Sequence, residues 1–333
     1  MSRLRVLPLR AFFPEDLKSL RDRLDPRVEL LEPADFTPAA LAAAAGDADV
    51  LLGGAIAPAV LSAAKKARLL QVPWTGLDTL DLGRLQRSGL KVCNSHSNAG
   101  VVAEYAVGLL LALLKDIPLH DARLRTGDWM RPRPDGRGEF RPPRTLSGMT
   151  IGFLGYGAIA RAAAKLLQGF GVTMRAVAAR PRRPAPRPLK TLDGSAGLGK
   201  MLAACDVVIV AAPLTCQTRG LLDAAMIGRL KPGAVLVNVA RAEIVDEAAL
   251  YEALKSGRLA GAALDAWSGK PSVEGPSLPS KYPFHELPNV VLSPHRAGFA
   301  AGTLPHLADV VENLNRLAAG KPLINVVDLE AGY

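Results

Sequence analysis

Short apolar runs alternate with stretches of helical spacing along most of the chain. RLRVLPL (3–9), VELLEP (28–33), ADVLLGG (48–54), ARLLQVP (67–73) and LKVCNS (90–95) have the length and aliphatic content of strands. PEDLKSLRDRL (14–24) opens on proline and places its apolar residues at helical spacing, which predicts a helix. Strands separated by helices predict a parallel sheet covered on both faces. This first block ends near residue 97. VVAEYAVGLLLALL (101–114) is too short to span a bilayer and carries Glu104, so it is read as a buried helix. The stretch 125–148 is rich in Pro, Gly and Arg and reads as a connection.

A second alternating block begins at MTIGFLGYG (149–157), followed by the helical AIARAAAKLLQGF (158–170) and the strand VTMRAVAA (172–179). DVVIVAAPL (206–214), AVLVNVA (234–240), AGAALDA (260–266) and NVVLSPH (289–295) then read as central parallel strands, because polar residues do not interrupt them. The tail LPHLADVVENLNRLAAG (304–320) is amphipathic, with Gly320 placed to end it and Pro322 beyond.

Composition adds bounds to this α/β pattern. A chain of 333 residues accommodates two domains. With 49% hydrophobic and 22% charged residues it is expected to fold as a globular protein. Cys93, Cys205 and Cys216 are odd in number and widely spaced, which suggests neither a disulfide framework nor a zinc site; they are expected to be buried. No metal cluster has ligand spacing. The N-terminus lacks the features of a signal peptide, and a cytoplasmic protein without a membrane partner is expected. The net charge is +10, but the arginines concentrate at 123–144 and 180–187 with no nucleic-acid-binding module around them, so no nucleic-acid partner is expected.

IGFLGYGAIARAAAKL (151–166) is a strand, a glycine turn and a helix, and its core, from Gly155 to Ala160, reads GxGxxA. Gly155 permits the tight turn. Gly157 lets the backbone approach a pyrophosphate, with Ala158 and Ile159 opening the helix. Ala160 is small enough for close helix–strand packing. This context predicts dinucleotide binding, with the helix N-terminus supplying N–H groups and a positive dipole end. The second strand of such a unit usually ends in an acid that binds the adenine ribose, roughly 20 residues beyond the glycines. Here it runs through Val177, Ala178 and Ala179 into Arg180. NADP is therefore favoured over NAD, with Arg180 as the 2′-phosphate ligand and Arg182 and Arg183 as helpers. The rival reading is a solvated basic loop beside an NAD site.

Three strand ends carry polar residues: Arg241, Asp265 and His295. An arginine, an acid and a histidine above a nicotinamide suggest hydride chemistry on a carbonyl. His295 would donate the proton, Arg241 would clamp a carboxylate and polarise the carbonyl, and Asp265 would bind the nicotinamide amide. Pro213, near the end of the run 206–214, and Ala240, at the end of 234–240, are also assigned to the cofactor.

The chain resembles the D-isomer-specific 2-hydroxyacid dehydrogenase family over nearly its whole length. The resemblance is carried, in order, by VPWTGLDTLDL (72–82), NSHSNAGVVAEYAVGLLLALL (94–114), IGFLGYGAIA, AAPLTCQTRGLLD (211–223), LKPGAVLVNVARAEIVDEAAL (230–250) and LPNVVLSPHRAG (287–298). It implies a two-domain α/β enzyme. Residues 1–97 and 299–333 would form a flavodoxin-like substrate domain, and an inserted Rossmann-type, doubly wound NAD(P)-binding domain would span 98–298. It further implies a cleft between the two, a homodimer, and a small 2-oxo or D-2-hydroxy acid substrate of the glyoxylate or hydroxypyruvate type. Backbone N–H groups at Gly54, Ala55, Gly76 and Leu77 would hold the substrate carboxylate. Arg241 and His295 fall on the family's catalytic positions.

One position departs. Many members carry, just before a proline, an acid that pairs with the histidine; here that position is Lys270, with Glu274 and Glu286 as possible substitutes. Trp74 and Trp267 are read either as pocket walls or as core. Two rival functions remain: a cofactor-binding interaction protein without turnover, and a dehydrogenase of another small anion such as phosphite or formate.

Overall fold

The computed structural model describes residues 3–131, 142–181, 184–302 and 305–333. The chain gathers into two compact units, Met1–Asn98 with Phe299–Tyr333, and Ala99–Gly298.

The first unit holds five parallel strands: β1 (Leu4–Pro8), β2 (Val28–Leu30), β3 (Val50–Leu52), β4 (Leu69–Gln71) and β5 (Lys91–Cys93). Their order, β2-β1-β3-β4-β5, is that of flavodoxin-like sheets. Side chains alternate between faces, so Leu7, Leu51, Leu70 and Val92 enter one apolar cluster while Val6, Val50, Leu52 and Leu69 enter another. Burial on both faces explains why these strands read as continuous apolar runs. The tail helix Leu307–Ala318 covers the second face with Leu307, Val310, Val311 and Leu314, the stripe expected of an amphipathic helix. It is also pinned by polar contacts: buried Asn313 donates to the Gln71 side chain at 2.9 Å and accepts from the Ile324 N–H at 2.8 Å.

The second unit holds seven parallel strands: β6 (Thr150–Leu154), β7 (Thr173–Val177), β8 (Thr191–Asp193), β9 (Val207–Val210), β10 (Val235–Asn238), β11 (Gly261–Leu264) and β12 (Val290–Leu292). Their order is β12-β11-β10-β9-β6-β7-β8, a doubly wound sheet with one strand beyond the usual six. Ile151 and Phe153 point into the cluster that includes the helix Ala99–Leu114, whereas Leu154 joins the opposite cluster with Leu202 and Val208. Phe153 has no exposed surface, so truncating it to alanine should cost about 3–5 kcal/mol.

Three elements differ from the sequence reading. β8 follows the Arg/Pro run as a three-residue edge strand, too short to give a periodic signal. A helix, Ile117–Arg125, precedes the Pro/Arg-rich connection and buries none of its residues, which is why no apolar stripe announced it. The tail helix begins at Leu307, three residues after the expected start. Cys93 and Cys205 are buried as expected, but Cys216 is exposed, in the turn after β9.

Candidate functional site

The sheet order of the second unit lines up the candidate residues. β12, β11, β10, β9, β6 and β7 lie side by side, and just beyond their carboxyl ends come His295, Asp265, Arg241, Pro213, Gly155 and Arg180, in that sequence. At about 4.8 Å per strand this row extends about 24 Å. The chain winds outward from β6 in one direction and from β9 in the other, so the switch point lies between them, where open α/β sheets bind ligands.

The two glycines of the turn after β6 have different reasons to be glycine. Gly155 sits at φ +87°, and a Cβ there would lie 2.7 Å from the backbone N and Cα of Ala212. Its N–H donates to the Val177 carbonyl at 2.8 Å, which ties the turn to β7. The polypeptide itself therefore demands glycine at 155. Gly157 has φ −83° and ψ −159°, extended backbone open to any residue, and a Cβ there would meet no protein atom within 4 Å. Nothing in the chain asks for glycine at 157, whereas a diphosphate drawn against the backbone does. Gly157 begins the helix Ala158–Leu167, which has no side-chain cap and no acid in its first turn, so the half-buried Ala158 and Ile159 bring N–H groups and a positive helix end to that space. Ala160 is fully buried against the core. These residues fit the diphosphate of a dinucleotide.

Arg180 stands exposed beyond β7, while Arg182 and Arg183 lie outside the described residues. The unforeseen β8 brings Asp193 into register with Val177, so an acid does stand on the strand beside this end; its side chain lies against the Gly197 turn. Pro213 is exposed after β9, and its carbonyl accepts from the Thr218 hydroxyl at 2.6 Å.

After β10, Asn238 shapes the turn that carries Ala240 and Arg241. Its side-chain oxygen accepts from the Ala240 N–H at 3.0 Å, and its amide donates to the Arg241 carbonyl at 3.0 Å. Arg241 is half-buried, and one guanidinium nitrogen donates to the Ala240 carbonyl at 2.9 Å.

His295 is exposed and has φ +57°, a left-handed backbone unusual for a residue with a side chain. Its Nδ1 lies 3.2 Å from the main-chain carbonyl of Asp265. A carbonyl only accepts, so Nδ1 carries the proton in this contact and Nε2 is left for other partners. Of the two acids offered as substitutes, Glu286 pairs with His285 at 3.8 Å and Glu274 is exposed, as is Lys270. The buried Asp265 carboxylate, assigned from sequence to the nicotinamide amide, meets three donors of its own chain. It accepts from the Arg296 N–H at 2.8 Å, the Ala297 N–H at 3.0 Å and the Ser293 hydroxyl. Trp267 donates its indole N–H to the Ser293 carbonyl at 2.8 Å and meets Phe284 edge-on. Ser293 was not singled out by sequence, because a serine before Pro-His has no pattern that marks it.

In the first unit, Trp74 links the two loops assigned to the substrate. A Cβ on the buried Gly54 would lie 2.2 Å from the Trp74 ring, so glycine lets the indole rest on that loop, beside exposed Ala55. The turn through Gly76 and buried Leu77 is held by Asn94, which donates to the Thr75 carbonyl at 2.8 Å, and by the Ser95 N–H on the Trp74 carbonyl at 3.2 Å.

Comparison with known proteins agrees with this architecture. The family description "D-isomer specific 2-hydroxyacid dehydrogenase, NAD binding domain" matches residues 107–297. The chain is 33% identical over 263 residues to a glycerate dehydrogenase of Methylorubrum extorquens, covering 78% of this chain and 79% of that protein. It is 32% identical over 299 residues to a D-3-phosphoglycerate dehydrogenase of Mycobacterium tuberculosis, which spans 88% of this chain but only 53% of the longer relative. The solved NADPH-dependent glyoxylate/hydroxypyruvate reductase of Sinorhizobium meliloti, in complex with NADP and malonate, superposes with a TM-score of 0.78 at 30% identity, over 99% of this chain and 98% of that one. The order of motifs, the two sheets and these relatives lead to one assignment: the chain belongs to the D-isomer-specific 2-hydroxyacid dehydrogenases, NAD(P)-dependent oxidoreductases acting on a CH–OH group.

Proposed function

We propose that this protein reduces a small 2-oxo acid of the glyoxylate or hydroxypyruvate type to the D-2-hydroxy acid, or runs the reverse reaction, with NADPH preferred. The observation that carries the reading is the row along one sheet edge: the glycine turn at the switch point, then Arg241, Asp265 and His295 on three adjacent strand ends.

Gly155, Gly157, Ala158 and Ile159 hold the diphosphate, Pro213 and Ala240 line the cofactor's path, and Arg180, with Arg182, takes the 2′-phosphate. When bound, the nicotinamide supplies the hydride that the carbonyl carbon receives. Arg241 pairs with the substrate carboxylate, and its charge stabilises the oxygen as negative charge develops. The turns Gly54–Ala55 and Gly76–Leu77 offer backbone N–H groups to that carboxylate. Protonated His295 gives its Nε2 proton to the carbonyl oxygen, so the ring ends as the neutral Nδ1–H tautomer that the Asp265 carbonyl holds.

The reading includes a cytoplasmic homodimer. Among the described residues, no helix is long and apolar enough to cross a membrane. The helix Ile117–Arg125 exposes Ile117 and Leu124, with Trp129 68% exposed beyond it, an apolar face of the kind a second copy covers. Light scattering of the purified protein at twice the 35.1 kDa chain mass would support this, and a monomer would overturn it.

The test of function is oxidation of NADPH and NADH side by side, with glyoxylate and hydroxypyruvate as acceptors. Faster turnover with NADPH, lost by about a hundred- to ten-thousandfold in His295→Asn while cofactor binding persists, is expected. Cofactor binding without turnover on any 2-oxo acid would overturn the reading and favour an interaction protein. Turnover surviving in His295→Asn would remove that residue as the proton donor.

A further inference from the structure

A left-handed backbone at a residue with a side chain persists only where its surroundings hold it. At His295 the holding is done by the two residues that follow. The N–H groups of Arg296 and Ala297 both donate to the Asp265 carboxylate, at 2.8 and 3.0 Å, and Asp265 is 3% exposed. The same residue orients the ring, because its carbonyl takes Nδ1. Asp265 thus holds this segment twice, its carbonyl taking the histidine ring and its carboxylate taking the two residues that follow. The ring's acceptor is thus a main-chain carbonyl, and Lys270 stands at the position where many family members carry an acid.

The carboxylate itself must be held for this to work. Its third donor is the Ser293 hydroxyl, on the oxygen that also receives the Arg296 N–H. A carboxylate accepts, so the serine donates to it and its oxygen is left to accept. The Tyr105 hydroxyl lies 2.8 Å from that oxygen and donates to it, which sets a relay from Tyr105 through Ser293 to Asp265. Ser293 cannot drift, because its N–H donates to the Leu264 carbonyl at 2.9 Å and its carbonyl receives the Trp267 indole N–H at 2.8 Å. Tyr105 is carried by the long helix Ala99–Leu114, packed in the core.

We propose that Ser293 and Tyr105 are positioning residues for His295, acting through the Asp265 carboxylate, in a site where a main-chain carbonyl orients the ring. This rests on His295 being the proton donor. Neither residue touches the reacting atoms; they decide how long the ring stays aimed.

Two readouts test it. The first is the ring tautomer in the free protein, from imidazole 15N–1H correlation spectra of labelled protein at a pH where the ring is neutral, with the His295 signals identified by their loss in His295→Asn. Wild type should show the Nδ1–H pattern. Ser293→Ala should shift it toward the Nε2–H or an averaged pattern, and Ser293→Thr, which keeps the hydroxyl, should restore it. The second is steady-state kinetics. Losing one charge-assisted hydrogen bond should lower kcat about tenfold in Ser293→Ala, with KM for NADPH unchanged. Tyr105→Phe, which removes a single oxygen, should lower kcat about threefold and carries the test if Ser293→Ala fails to fold. An Nε2–H pattern in wild type, or an unchanged spectrum and kcat in both variants, would overturn the proposal. If wild type shows no turnover at all, the functional reading fails, while the tautomer measurement still decides what Ser293 and Tyr105 do.

Discussion

Replacing each glycine of the β6 turn with alanine separates folding from cofactor binding. Gly157→Ala adds a methyl group into space with no protein atom within 4 Å, at φ −83°. Losing glycine at a helix cap costs about 0.5–1 kcal/mol, and removing glycine's freedom from the unfolded chain returns about 0.4–1 kcal/mol. The two nearly cancel, so the free protein should unfold within about 0.5 kcal/mol of wild type. The methyl group occupies the side from which a diphosphate would approach, so NADPH should lose one or two charge-assisted hydrogen bonds. At about 1.5–3 kcal/mol, that is roughly 10- to 150-fold weaker binding. Gly155→Ala behaves oppositely. A left-handed conformation at φ +87° costs about 1–2 kcal/mol, and a Cβ 2.7 Å from the Ala212 backbone adds about 1–3 kcal/mol of overpacking, so stability should fall by about 2–5 kcal/mol. Urea unfolding and NADPH fluorescence titration of both variants give the four numbers needed. Undiminished NADPH affinity in folded Gly157→Ala would refute the assignment of this turn to the diphosphate.

Other expectations follow from the same structure. Arg180→Ala should raise KM for NADPH about 10- to 100-fold and leave NADH nearly unaffected; equal loss with both would make the arginine run a solvated loop. Burial pushes the Cys93 and Cys205 thiols up to about 11, so a thiol reagent at pH 8 should modify one cysteine, the exposed Cys216, in native protein and three after denaturation. Burial opposes ionisation of Asp206, but the Thr150 N–H at 2.8 Å, Lys231 at 2.9 Å and the charge of Arg144 outweigh it and hold the carboxyl below its usual range. Its stabilisation is therefore complete above the unfolded value near 4 and is lost as pH falls through the lower folded value. Asp206→Asn should cost about 1–2 kcal/mol at pH 7 in urea unfolding, and the gap should close in acid.

The amino-acid sequence by itself determined the strands buried on both faces, the glycine turn and the helix after it, because unbroken aliphatic runs and the GxGxxA spacing are local signals that packing reinforces. It also marked Arg241, Asp265 and His295 as polar residues at strand ends. Sequence position cannot say which strand ends are neighbours. Only the sheet order β12-β11-β10-β9-β6-β7 puts those three ends side by side and the glycine turn at the switch point. The three-residue edge strand β8 and the unburied helix Ile117–Arg125 escaped because neither has a buried face long enough to impose a period. The partners of His295 were the least legible. A main-chain carbonyl as ring acceptor, and a serine and a tyrosine 188 positions apart sharing one hydrogen bond, leave no trace in residue type or spacing. They depend on where the chain brings backbone and side-chain groups together in three dimensions, and that is settled by the packing of a whole sheet and helix rather than by any segment read alone.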